Sequence, residues 1–257
     1  MGVHQRIDRV ARRHIARHVP TGVNFPLHRD IVHFEGKNGP DGIKRKSPAQ
    51  DEPWHYINPT DKNDVALLGM IDDHIENMAQ ALHEGNYHRA AFEAAWMSHA
   101  ITDGLTPAHH YPLEAKLEEM RGEGIETRVS TKEKLVLPGT TPRMKIKNNW
   151  DYWGAKGVMT THFNFELGVA TTLSGATLDG IHKFDQHDID ELTRRGFREV
   201  FLEILHEVDA MAMYDEFQKK GWTRHLAQET KRELVPRIIR AVCAGWYMAI
   251  LHAEERS

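Results

Sequence analysis

The amino-acid sequence predicts an all-α protein built as one domain. Three observations carry that reading. Apolar residues recur at helical spacing over most of the chain, no set of alternating apolar and polar stretches lays out a sheet, and no segment repeats another. The first helix is read over residues 4–19, where Ile7, Val10, Ala11, Ile15 and Val19 share a stripe. Residues 20–60, rich in Pro, Gly and Asn, read as a long structured loop. Asp61 or Asp64 is placed to cap a helix running to about His83, with Val65, Leu68, Ile71, Ile75, Met78 and Leu82 on its buried face, and Gly85-Asn86 ends it. An alanine-rich helix follows and stops at Pro107. Pro112 opens a short helix to about Arg121. Residues 122–149 keep no steady period and hold Gly122, Gly124, Pro138, Gly139 and Pro142, so they read as a loop insertion with room for a short strand at Leu135-Val136-Leu137. Helices resume near Trp150–Leu173, Asp188–Lys219 and Thr223–Ala253.

Composition narrows the class. The chain has 257 residues, of which 40% are hydrophobic and 27% charged, enough to bury a core without staples. No run approaches the length of apolar residues that a membrane span needs. His4, Arg6, Asp8, Arg9, Arg12 and Arg13 leave no apolar segment for a signal peptide, so the chain as given reads as cytoplasmic, or as secreted if a leader precedes it. The one cysteine, Cys243, excludes an internal disulfide and a thiolate metal site. A net charge of -4 argues against general polyanion binding, and no stable nucleic-acid complex is expected.

Chemistry concentrates in two helical stretches. His99 and Asp103 lie four residues apart in the alanine-rich helix, so both heads reach one face and one ion. His162 and Glu166 repeat that spacing later, and His109 follows Pro107, where the chain turns back. Asp41 and His55 add a carboxylate and an imidazole upstream. His14, His18, His83, His88, His182, His206, His225 and His252 read as ordinary surface or core histidines. So many imidazoles and carboxylates turned into one core would cost several kcal/mol each without a compensating charge, which divalent ions supply (about 2–7 kcal/mol per polar group).

The stretch Ser98-His99-Ala100-Ile101-Thr102-Asp103-Gly104-Leu105-Thr106-Pro107-Ala108-His109 resembles the core motif of the zinc-dependent phospholipase C and single-strand nuclease superfamily. Trp54-His55-Tyr56-Ile57-Asn58-Pro59 is similar to its aromatic-flanked histidine block, and Gly39-Pro40-Asp41-Gly42 to its Pro-Asp block. The resemblance extends from residue 4 to about residue 175. It implies two or three zinc ions: one on Asp41, His55, His99 and Asp103, a second on His109, His162 and Glu166. A third would lie on His4, the N-terminal amine and carbonyl, and Asp103 as a bridge. It further implies hydrolysis of a phosphodiester, a phospholipid headgroup or a nucleotide, by a zinc-activated water that Asp41 orients or deprotonates. Glu166 as the last ligand and the interval from Asp41 to His55 match the phospholipase C branch. Thr106 stands where the family has Gln, and the stretch from His109 to His162 is longer than in either branch. A nuclease or nucleotidase of the same superfamily and a non-catalytic metal-binding relative are the alternatives.

His187-Asp188 is the dipeptide of the HD phosphohydrolases, another all-α metal fold, but the last helix, after Trp222, has no Asp, and Asp188 reads as a helix cap. Lys132, Lys134, Arg143, Lys145 and Lys147 precede Trp150, Tyr152 and Trp153. That pattern allows a transient contact with a membrane surface, although a solvated loop followed by the core aromatics of a helix is the preferred reading.

Overall fold

Helical hairpins around one long C-terminal helix organise the chain. The computed structural model describes residues 2–47, 55–176, 178 and 183–256, so Trp54 and His182 lie outside the described residues. In chain order the α-helices are α1 Val3–Ile15, α2 His28–His33, α3 Pro40–Lys44, α4 Ala66–His83, α5 Tyr87–Gly104, α6 Leu113–Arg121 and α7 Lys132–Leu135. There follow α8 Pro142–Trp153, α9 Val158–Ser174, α10 Gln186–Arg195, α11 Phe197–Ala210, α12 Met213–Lys220, α13 Arg224–Glu229 and α14 Val235–Glu255. A π-helical stretch, Thr230–Leu234, joins α13 to α14 without a break. The protein is an all-helical single domain, and no strand occurs among the described residues, so Leu135-Val136-Leu137 forms none.

The core follows from the apolar stripes. α14 buries residues on every side, among them Val242, Cys243, Trp246 and Ile250, and packs against α4, α1, α5, α10 and α11. Its indole Nε1 at Trp246 donates to the Ala94 carbonyl at 2.9 Å, which satisfies the one polar atom of a fully buried ring. The run Arg224–Glu255 is long and apolar enough to cross a membrane by length and composition, yet most of its apolar window is buried inside the protein. α4 and α5 form an antiparallel pair. Small residues on α5, Ala90, Ala91, Ala94 and Ala95, let neighbouring helices close on it and carry its whole C-terminal half into the interior.

Several expected boundaries shift. Residues 20–60 hold α2, α3 and a 3-10 turn at Gly36–Asn38. α4 begins after Val65, because Asp64 and Asp61 spend their carboxylates on the turns at Asn58 and Asn63. Asp185, not Asp188, caps α10; Asp188 completes the capping box and pairs with Arg240 at 2.7 Å. The insertion 122–149 is helical in part: α7 lies inside it, and α8 starts at Pro142 under a Thr141 cap. A satellite cluster of Leu113, Leu117, Leu137 and Tyr152 holds this region over the site.

Candidate metal centre

Because the end of α5 is buried, His99 and Asp103 face inward one turn apart, and Asp103 becomes a hub. Its Oδ1 lies 3.4 Å from His4 Nε2, while its Oδ2 lies 3.1 Å from His55 Nδ1 and 3.3 Å from His99 Nε2. The ligand atoms of His55, His99 and Asp103 all fall within 4.8 Å of one another. Two oxygens facing different imidazoles give this carboxylate the geometry of a bridge.

A second group forms beside it. Pro107 ends α5 and opens a 3-10 turn, Pro107–His110, that brings His109 back. Glu166 Oε1, on α9, lies 3.1 Å from His109 Nε2 and 3.0 Å from His162 Nε2. The loop before α4 and this turn are laced together: His109 Nδ1 donates to the His55 carbonyl at 3.0 Å and the Ile57 amide to the His109 carbonyl at 3.2 Å. Tyr56 stacks on His109 with ring centroids 4.6 Å apart.

A third group joins His4, Glu35 and His99. The His4 and His99 rings stack at 3.9 Å, nearly parallel, and His99 Nδ1 donates to Glu35 Oε2 at 3.1 Å. Glu35 has no counterpart in the sequence reading. It sits in irregular chain before Gly36, with no helical spacing to any ligand, so no local signal marks it. Behind it Ser98 donates to Asp8, whose carboxyl is held well above the usual range by burial and then by the charge of Glu35. His4 meets Asp103 as expected of a third site. The Gly2 amide donates to Gln5 Oε1 at 3.1 Å, and Met1 lies outside the described residues.

These groups fit cations on their own chemistry. His109 and His99 commit their Nδ1–H to a carbonyl and a carboxylate, so in the neutral ring each Nε2 presents a lone pair. Both lone pairs face carboxylate oxygens, at 3.1 Å on Glu166 and 3.3 Å on Asp103. Acceptor facing acceptor requires a proton or a metal ion between them. His99 Nε2 is buried with no hydrogen-bond partner among the described residues. Charge distribution agrees: burial would lower the His99 pKa, yet Asp103 and Glu35 raise it to about 10. Burial opposes ionisation of Asp103 and Glu166 too, yet the imidazoles around each hold both well below the ordinary carboxylate range. His55, pushed down first by burial, falls to about 3 and is neutral, as a metal ligand must be.

The remaining predicted residue lies at the edge. Asp41 Oδ1 is 3.7 Å from His99 Nε2 on a side chain that is 47% exposed, outside the tight set of His55, His99 and Asp103. Gly42 seats it there, since a Cβ would meet the Lys37 carbonyl oxygen at 2.1 Å. Lys44, one turn on, brings its ammonium to 3.6 Å from Asp103 Oδ2. Above them opens a cavity of about 790 Å³ lined by residues of both main groups, by Lys44 and Arg45, and by an apolar wall that includes Leu113, Trp153 and Phe163. No family model, curated protein or solved structure matches the chain.

Proposed function

We propose that this protein is a zinc-dependent phosphodiester hydrolase of the phospholipase C type, within the phospholipase C and single-strand nuclease superfamily. The observation that carries the reading is the convergence of three buried His/Asp/Glu groups, two of them sharing His99, beneath one cavity. Nitrogen and oxygen donors without thiolate suit zinc, and Asp103 divides its oxygens between two imidazole sets. Zinc held there acts as a Lewis acid toward phosphoryl oxygens and lowers the pKa of water. The protein's own part is to place the reactants. Asp41, at the cavity edge, orients the attacking water and takes its proton. Lys44 and Arg45 attract the phosphodiester anion, and Glu35 and the His55 carbonyl hold the His99 and His109 rings in place.

The apolar wall favours a lipid over a nucleotide. Leu135, Trp153, Phe163 and Leu167 line the cavity and are also among the exposed large hydrophobics, so a diacylglycerol body finds apolar contact where the headgroup enters. The Trp153–Phe163 stack, with centroids 6.2 Å apart, supports the nuclease reading as the second choice, because such a platform takes a base.

The test combines metal analysis with hydrolysis of bis-p-nitrophenyl phosphate, phosphatidylcholine and single-stranded DNA. Two or more zinc per chain and cleavage of the lipid are expected. Asp103→Asn should lose at least one zinc and slow cleavage by orders of magnitude while its circular dichroism stays helical, since it removes the charge between two cations. Zinc with cleavage of DNA alone selects the nuclease, and zinc with no cleavage the non-catalytic relative.

A further inference from the structure

α8 is inside out. Ile146, Trp150 and Trp153 are spaced by four and then three residues, so they form one stripe, and that stripe faces solvent: Ile146 is 72% and Trp150 68% exposed. The opposite face is buried through Asn148 and Tyr152. Asn148 Nδ2 donates to the Met120 and Pro138 carbonyls at 2.7 and 2.8 Å, and Asn149 exchanges bonds with the Leu137 backbone. Two asparagines and Tyr152 anchor the helix inward, while Ile146, Trp150 and Trp153 point out. Water gives no reason for that arrangement.

The stripe continues into the cavity mouth. Trp153 donates its Nε1–H to the Leu135 carbonyl at 2.8 Å and stacks on Phe163, and Phe163 lies one turn from Leu167 on α9. Leu135, Phe163 and Leu167 are 61%, 48% and 59% exposed. Among the described residues, nine of the twelve exposed large hydrophobics fall between Val129 and Leu167. Positive charge is concentrated in the same segment, which carries Lys132, Lys134, Arg143, Lys145, Lys147 and Lys156 against Glu133, Asp151 and Glu166, in a chain whose net charge is -4. Lys145 and Lys147 flank the stripe on either side of Ile146 and are exposed, and the Lys147 ammonium also pairs with Asp151 Oδ2 at 2.6 Å on the same helix.

We propose that this collar is a docking surface for an anionic phospholipid bilayer, with Ile146 and Trp150 entering the headgroup boundary and the flanking cations meeting lipid phosphates. An apolar stripe bordered by Lys and Arg is the composition of a helix that lies in a membrane interface. The collar borders the cavity, so docking sets the cavity mouth against the lipid. This deepens the phospholipase reading and rests on it for its purpose, but binding is measured without catalysis.

The full chain is mixed briefly in the cold with sucrose-loaded vesicles of phosphatidylcholine alone or with phosphatidylserine, then sedimented. Soluble bis-p-nitrophenyl phosphate is assayed in parallel. Binding should be stronger on the phosphatidylserine vesicles and weaken with salt. The double variant Ile146→Ser, Trp150→Ser should lose on the order of tenfold or more in partitioning, and Lys145→Glu, Lys147→Glu a comparable factor on anionic vesicles only. All four side chains are away from the metal groups, so hydrolysis of the soluble diester should not change. Leu27→Ser, an exposed apolar residue elsewhere, should bind like wild type. Vesicle binding without hydrolysis would leave docking standing and overturn only the proposed catalysis. No sedimentation, equal binding of both compositions, or an unaffected double variant would overturn docking. So would a dimer seen by light scattering, or single-stranded DNA binding, that the double variant abolishes.

Discussion

At the scale of single residues, the centre is a set of imidazoles held by what stands behind them. His99 and Asp103 were legible in the sequence because one helix fixes their spacing, and His162 and Glu166 likewise. Glu35 was not, because its bond to His99 spans 64 residues and depends on how α2 packs against α5. Its role is open to measurement. Glu35→Ala should leave the helical spectrum intact and weaken zinc binding by about 10–100-fold in competition with a chromophoric chelator, the usual effect of losing the carboxylate behind a ligand histidine. Unchanged affinity would mean that Glu35 does not orient the ring. His99 also sets a pH dependence for the metal-free protein. Its pKa rises from 6.5 unfolded to about 10 folded, so its contribution is fully present below pH 6.5 and is lost as pH climbs through about 10. Urea unfolding of the chelated protein should therefore show falling stability across that window, and the fall should be absent in His99→Gln.

Elements were read unevenly, for reasons of packing. α4 and α5 were found nearly in full, since their apolar stripes are long and regular. The stretch expected as one helix from Asp188 to Lys219 breaks into three at Gly196, with φ +80°, and Ala212, with φ +51°. Apolar periodicity carries on across such breaks and hides them. α8 misled most: Trp150, Tyr152 and Trp153 read as core aromatics, and only Tyr152 is buried. The decisive inward contacts come from asparagines binding backbone carbonyls at the end of α6 and before α8, which no hydrophobic pattern encodes. α9, which carries His162 and Glu166, depends on close approach at Gly168. A Cβ there would meet the Trp222 ring at 2.2 Å, and an indole cannot yield as a flexible tail does. Gly168→Ala should cost about 1–3 kcal/mol in urea unfolding and displace the helix carrying the second candidate metal group, despite alanine's better helix propensity. A stabilised variant would show that Trp222 moves freely.

For the molecule as a whole, the question is what makes the arrangement of charge at its centre tolerable. Half-buried His4 and buried His55, His99, His109 and His162 meet Glu35, Asp103 and Glu166 in one region, and four helices, α1, α3, α5 and α9, converge there together with the loop before α4. Without ions, one proton on His99 and the Lys44 ammonium supply much of the compensating charge. Divalent ions would give Asp103 and Glu166 a partner that also satisfies the His99 and His109 nitrogen lone pairs facing them. Ions that bind only the folded chain then stabilise it by mass action, by about 2.7 kcal/mol at a hundredfold excess over Kd, and by more with two sites filled. Exhaustive chelation should accordingly lower the melting temperature by several degrees (roughly 2–4 °C for each kcal/mol in a chain of this size). Returning zinc should restore it. The loss should be smaller in Asp103→Asn, which has less metal to lose, and Glu35→Ala should fall between the two. A melting curve that chelation and zinc leave unmoved would mean that protons alone balance these charges and that the cluster is a structural network rather than a metal centre.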